Sequence, residues 1–363
     1  MTSDAAGAPD GAPVLVRVHD GIGHLTLNRP RSINALSHEM VHLAQAALDA
    51  WADDPAVRSV VIDGAGDRGL CAGGDIVAIY QDARAGGTSS IDYWADEYRL
   101  DATIAGYAKP VVAFMDGIVM GGGVGISAHA SHRIVEEGST IAMPEVSIGF
   151  VPDVGGPFLL ARAPGRLGLH AALTGARLSA ADAVLLGLAD VFVPRDRRAE
   201  LLAGLAGGDV DEAIARVAAT PPPGGLAAER SWIDAAYAHD SIEAVLAALE
   251  WSPGGGPERA ASILRRSSPT SLKVALRSFR EAAADADLGT ALTRDLRIAA
   301  RCLAGHDFPE GIRAQVIDKD RAPRWNPATL AEVSSADVDA YFAPLGDRDL
   351  RITPPHSSTG ARR

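Results

Sequence analysis

Met120-Gly-Gly-Gly-Val-Gly125 lies between Lys109-Pro110-Val-Val-Ala-Phe-Met-Asp-Gly117 and Ala142-Met-Pro-Glu145, and the chain is organised around it. The upstream residues read as an apolar strand entering a turn. Three consecutive glycines let a backbone bend sharply and let its N–H groups approach a ligand closely. Gly123 to Ser131 then reads as a buried helix. Those N–H groups therefore sit at or near a helix N-terminus, where developing negative charge is stabilised. Further along, Gly149-Phe-Val-Pro152-Asp153-Val-Gly155-Gly156 brings a second acid, Asp153, close in sequence to Glu145. A backbone cradle beside two carboxyls is a pattern suited to acyl transfer.

Outward from this stretch, strands and helices alternate. Val14–Val18 and Ile22–Leu27 flank Asp20-Gly21 as a hairpin. Ser37 is a candidate N-cap for a helix running to about Pro55, and Ser59–Ile62 is a short buried strand. The Gly-rich loop from Gly64 to Asp75 leads into a helix, and a second helix covers Ile91 to Tyr107. A strand at 133–136, helices at 165–174 and 179–186, and a strand at 190–193 follow. The pattern is α/β. No Gly-x-Gly-x-x-Gly turn is present, because Ile126 stands in the third glycine's place, so a nucleotide-binding doubly wound sheet is not expected. After Pro194 alanine-rich helices dominate. The expected organisation is a disordered 1–12, a core over 13–195 carrying the site, a helical region over 196–346 and a loose tail over 347–363.

Composition narrows the function. The chain has 363 residues, 47% of them apolar, enough for a sizeable core. A net charge of −12 argues against non-specific nucleic-acid binding, although local arginines and backbone N–H groups can still hold an anionic ligand. Cys71 and Cys302 are the only cysteines, which argues against a disulfide framework and excludes a Cys-rich zinc site. Met1–Pro13 has neither the basic and apolar segments of a signal peptide nor the arginines of a transit peptide. No apolar run reaches membrane-spanning length. The expected location is cytoplasmic.

Each candidate residue also has a plain structural reading. Glu145 after Pro144 could be a first-turn carboxylate favoured by the helix dipole, and Asp153 a simple N-cap. Glu97, among the charges of 92–99, reads by itself as part of a solvated face. Cys71 reads as a small buried thiol and His129 and His132 as structural, so no metal is expected. Ser127 does not fit the Gly-x-Ser-x-Gly nucleophile motif.

Taken together, Cys71-Ala-Gly-Gly-Asp75, Lys109-Pro110, Gly121-Gly-Gly123 and Met143-Pro144-Glu145 resemble the crotonase, or enoyl-CoA hydratase/isomerase, superfamily. Its 3-hydroxyacyl-CoA hydrolases are resembled further through Asp96-Glu97-Tyr98, Pro152-Asp153-Val-Gly-Gly156, Ser268-Pro-Thr-Ser-Leu-Lys273, the stretch Gly305–Arg313 and the stretch Ile317–Trp325. The resemblance covers about residues 14–346. It implies a spiral of ββα turns with a C-terminal helical region. It also implies an oxyanion hole from the N–H groups of Ala72 and Gly122, a substrate-contacting Glu97, and a catalytic pair, Glu145 and Asp153. Glu97, Gly122, Glu145 and Asp153 would then bind substrate. The implied reaction is hydrolysis of a short 3-hydroxyacyl-CoA thioester, as in valine breakdown, with CoA as part of the substrate and no separate cofactor. Arg313 and Lys319 are candidates for the CoA phosphates, and a homo-oligomer is compatible with this reading.

Two alternatives belong to other classes. Hydratases of the superfamily carry a second glutamate just after the glycine run and a glycine in place of Asp153; here the first position is Gly125. A catalytically silent acyl-CoA-binding protein would have no need to keep both acids and both hole positions.

Overall fold

The computed structural model describes residues 11–352; the disorder expected for 1–10 and the loose tail expected beyond 352 lie outside the described residues. Inside those limits both ends make contacts with the rest of the chain. The Ala12 carbonyl accepts from Asn28 Nδ2 at 2.8 Å, Asp349 is bound bidentately by Arg297 at 2.9 and 2.8 Å, and Leu350 is buried.

Six strands form the main sheet: β1 (Val14–His19), β2 (Ile22–Leu27), β3 (Ser59–Gly64), β4 (Val111–Phe114), β6 (His132–Val135) and β8 (Val191–Phe192). Only the β1–β2 hairpin is antiparallel. A parallel sheet is covered on both faces, so its strands are continuous apolar runs such as Val60-Val61-Ile62 and Val111–Phe114.

Two short strands, β5 (Ile118–Met120) and β7 (Thr140–Ala142), pair in parallel as a second sheet that the sequence reading misses. Bridges from Leu36 to Gly74, Cys71 to Val119 and Ile141 to Leu178 extend it through successive turns of chain. Each turn thus supplies a strand to the main sheet, a bridge or strand to the minor one, and then a helix. This repeat is the ββα spiral. The helices of this part are α1 (His38–Ala52), α2 (Ile76–Arg84), α3 (Ser89–Ala105), α4 (Gly122–Ala128), α5 (Gly156–Leu160), α6 (Leu167–Thr174) and α7 (Ala180–Leu185). Ser37 caps α1 by accepting from the Met40 N–H, worth about 1 kcal/mol.

The remaining helices are α8 (Arg198–Leu205), α9 (Val210–Val217), α10 (Leu226–Ala236), α11 (Ile242–Trp251), α12 (Gly255–Arg266), α13 (Pro269–Ala282), α14 (Leu288–Ala304), α15 (Asp307–Ile312) and α16 (Ser335–Phe342). They do not stand apart from the sheet. Leu201 and Leu205 of α8, with Ile214 and Val217 of α9, cover the sheet face formed by Val61, Val112, Phe114 and Ile134. On the other side, α15 closes against the short 3₁₀ turn Glu145–Ile148. Glycines on both sides allow this approach: a side chain at Gly149 would strike the Asp307 carbonyl, and one at Gly311 the Ile148 carbonyl.

Candidate active site

The glycine run emerges from β5 and turns into α4. Gly121 takes φ +48°, a conformation that favours glycine, and its missing Cβ leaves room for Glu145 Oε1 at 3.1 Å. A Cβ on Gly122 would collide with Glu97 Oε1. The glycines are therefore what let the backbone lie directly on two carboxyls. Ala72, Glu97, Gly122, Glu145 and Asp153, the five residues singled out in the sequence, all line one cavity of about 160 Å³. One wall is aromatic. Trp94 of α3 stacks on Phe150 at 5.4 Å, and Phe150 on Phe308 of α15 at 4.5 Å.

The Ala72 expectation needs correction at the level of its N–H, which donates to the Ile33 carbonyl at 2.9 Å. Gly74 and Gly122 line the same cavity, and their N–H groups have no acceptor among the described residues. For Gly122 this follows from its place as the first residue of α4, where helical N–H groups lack intrahelical partners.

Glu97 is buried, not part of a solvated face; its neighbours Asp96 and Arg99 carry the exposed side of α3. Burial, then the nearby Asp153 charge, pushes the Glu97 carboxyl up to about 8. The same two causes in the same order hold Glu145 well above the usual carboxylate range. Burial also raises Asp153, to about 7, against the opposing effect of the Tyr98 hydroxyl, which donates to Asp153 Oδ2 at 2.6 Å. Three carboxyls in one small cavity cannot all ionise together. The Tyr98 hydrogen bond makes Asp153 the member best able to hold the charge.

Asp153 is aimed by a strained turn. Val154 has φ +50°, unusual for a β-branched residue and costing about 1–3 kcal/mol. His129 Nε2–H donates to the Val154 carbonyl at 2.7 Å, and the Gly155 N–H donates to Asp295 Oδ2 of α14 at 2.9 Å. Burial drives the His129 pKa down to about 4, so the ring is neutral and its donor is fixed on that carbonyl. Asp101 lies one helical turn beyond Glu97. Both of its oxygens are buried without a hydrogen-bond partner, and they would lie 2.7 and 2.9 Å from a Cβ on Gly125. Burial above all holds its carboxyl well above the usual range.

Sequence reasoning did not assign Tyr98, Asp101, His129 or Asp295 to the site. The spacing of Trp94, Glu97, Tyr98 and Asp101 on one helical stripe was the available signal; for Asp295 there was none. Cys71 is fully buried with its thiol pushed up to about 12, and Ser127 donates to the Gly123 carbonyl, in line with their structural readings. Arg313 is already held by Glu310, Asp318 and Asp320, which removes it as a free phosphate ligand.

The Enoyl-CoA hydratase/isomerase family description matches residues 22–342. A protein of Gallus gallus named 3-hydroxyisobutyryl-CoA hydrolase, mitochondrial, is 39% identical over 94% of this chain and 91% of its own length. The Homo sapiens protein of the same name is 35% identical over 93% and 90%. A solved structure named as a carnitinyl-CoA dehydratase from Mycobacterium thermoresistibile superposes with TM-score 0.90 at 50% identity, covering 94% of this chain and 98% of that one. An enoyl-CoA hydratase from Rhodobacter sphaeroides 2.4.1 gives 0.88 at 42%, covering 94% and 100%. The curated relatives are named as mitochondrial proteins, which overturns the cytoplasmic expectation. The cytoplasmic reading had rested on the composition of the first residues, which does not by itself determine a compartment. Among the described residues, no helix is long and apolar enough to cross a membrane. Family match, coverage and the ββα spiral agree: the chain belongs to the enoyl-CoA hydratase/isomerase family of the crotonase superfamily.

Proposed function

We propose that the protein hydrolyses 3-hydroxyisobutyryl-CoA to 3-hydroxyisobutyrate and CoA, a thioester hydrolysis belonging to valine breakdown. The observation that carries this reading is that Glu145 and Asp153 are buried and line one cavity together with Gly122. Hydrolysis of a thioester needs donors for the carbonyl oxygen, a base for the nucleophile and a proton for the departing thiolate. The Gly122 N–H, at the start of α4, serves the first need; one such donor contributes roughly 3–4 kcal/mol of transition-state stabilisation. Two carboxyls that cannot ionise together serve the other two, one as anion and one as acid. The aromatic wall gives the rest of the cavity an apolar lining, and its volume of about 160 Å³ suits a short acyl group.

A groove of about 670 Å³ shares Pro144 and Ser147 with this cavity and carries Arg266 and Arg321, beside Arg265, which Glu250 already pairs. In a chain of net charge −12 this local cluster is suited to the CoA phosphates. Hydration is the second reading, raised by the names of the two solved structures. Gly125 and Asp101 disfavour it here, because a glutamate at position 125 would displace the Asp101 carboxyl.

The test follows thiol release from 3-hydroxyisobutyryl-CoA beside loss of conjugated absorbance from crotonyl-CoA. Wild type is expected to release thiol, and Asp153→Asn to lose about 10²–10⁴-fold in turnover. Rapid consumption of crotonyl-CoA without thiol release, undiminished in Asp153→Asn, would refute the reading.

A further inference from the structure

His38 and His42 stand one helical turn apart on α1, so their rings share a face. Asp96 of α3 lies opposite. The Nε2 atom of His38 is 2.8 Å from Asp96 Oδ2 and that of His42 is 2.9 Å from the same oxygen. The two rings lie 4.2 Å apart, centroid to centroid. Among the described residues this is the one group of His, Cys, Asp and Glu side chains whose ligand atoms all lie within 4.8 Å of one another.

We infer that His38, His42 and Asp96 form a binding site for a divalent transition-metal ion of the zinc, cobalt or nickel type, separate from the acyl-CoA site. Two imidazole nitrogens and one carboxylate oxygen are a donor set that suits these ions and is a poor match for magnesium or calcium. Zinc–nitrogen bonds of about 2.0–2.1 Å in a tetrahedron place ligand atoms roughly 3.3 Å apart, so each nitrogen needs to move only about half an ångström from Asp96 Oδ2. Water would take the fourth position.

Arg99 Nη1 donates to Asp96 Oδ1 at 2.7 Å, which fixes the carboxylate with Oδ2 turned to the two rings. Outer hydrogen bonds of this kind orient metal-ligating carboxylates. An entry path exists as well. The His42 side chain is 61% exposed, and it lines with Asp96 an open groove of about 680 Å³.

Such an ion would clip α1 to α3. The helix so held carries Glu97 directly after Asp96, and the His38 ring packs edge-on against Tyr93 at 5.9 Å, itself a lining residue of the acyl cavity. The site therefore fixes the helix that presents the cavity's outer carboxyl without taking part in the chemistry.

The test uses full-length, tag-free protein stripped with EDTA. Titration with Co²⁺ is followed by the visible absorption of tetrahedral cobalt, and titration with Zn²⁺ by calorimetry and by thermal unfolding. One ion per chain is expected, with the cobalt band appearing and the melting temperature rising. His42→Ala and Asp96→Asn should each weaken binding by at least about tenfold and abolish the thermal shift. Circular dichroism of the metal-free variants checks that they fold. Absence of binding to folded wild type, or equal binding by the folded variants, overturns the site.

Discussion

Tyr98 donates to Asp153 and so decides which carboxyl of the pair carries charge at rest. Removing that hydroxyl removes a hydrogen bond that favours the anion, so the Asp153 pKa must rise. In Tyr98→Phe the break in the pH profile of kcat/KM near 7, set by Asp153, is expected to move to higher pH, with the fold intact. A break that stays in place would remove Tyr98 from this role. Glu145→Gln keeps the shape and loses the titrating group; turnover should fall about 10²–10⁴-fold with acyl-CoA binding retained, measured by steady-state kinetics and calorimetry. The identities of Glu145, Asp153 and Glu97 were legible in sequence because each sits in a motif of recognisable order. The state of each was not legible. Whether Glu97 faces water or Gly122 depends on how α3 is rotated against α4, and the charges at 92, 96 and 99 obscured the buried stripe of 94, 97, 98 and 101. The Ala72 N–H shows the same limit, since its acceptor, Ile33, comes from a distant loop.

Elements were read best where a single chemical signal fixed them. Ser37 caps α1 as read, α2 begins just after Asp75 where a helix was expected to start, and Asp20-Gly21 turns the first hairpin. β5 and β7 escaped because three residues cannot display a period. The helix after the glycine run ends at Ala128, short of the reading to Ser131, because His129 leaves it to reach Val154. The His38–His42 spacing was in plain view on a predicted helix, but its third partner lies on another. The turn Asp153–Gly155 is the element whose conformation aims Asp153 into the cavity. His129→Leu leaves the buried Val154 carbonyl without its donor, which costs about 1–3 kcal/mol. The unfolding free energy from denaturant titration should fall by that amount, and kcat should fall while KM changes little. An unchanged unfolding free energy would show that the strained turn holds itself.

For the whole molecule, several buried carboxyls titrate high: Asp153 and Asp295 at about 7, Glu97 at about 8, and Glu136 at about 7, each raised first by burial. The folded state holds more protons than the unfolded chain between pH of about 4 and 8, so this contribution to stability is present below that window and lost as pH rises through it. The melting temperature should therefore be higher at pH 5.5 than at pH 8; the reverse order would mean these groups ionise without penalty. The helical region beyond Pro194 was legible in composition, but its intimacy with the core was not. Asp295 and Phe308, from α14 and α15, complete the turn and the wall that the core begins. This bears on the chain as it is made. The sheet can form once β8 has emerged, yet the turn that carries Asp153 must wait for Asp295 and the cavity for Phe308. At about 5–20 residues per second, that delay is on the order of ten seconds. During synthesis a nascent chain passes through a stage with an assembled sheet and an exposed, unbraced Asp153, and pulsed proteolysis of stalled chains should find cleavage near Val154 until α15 is complete.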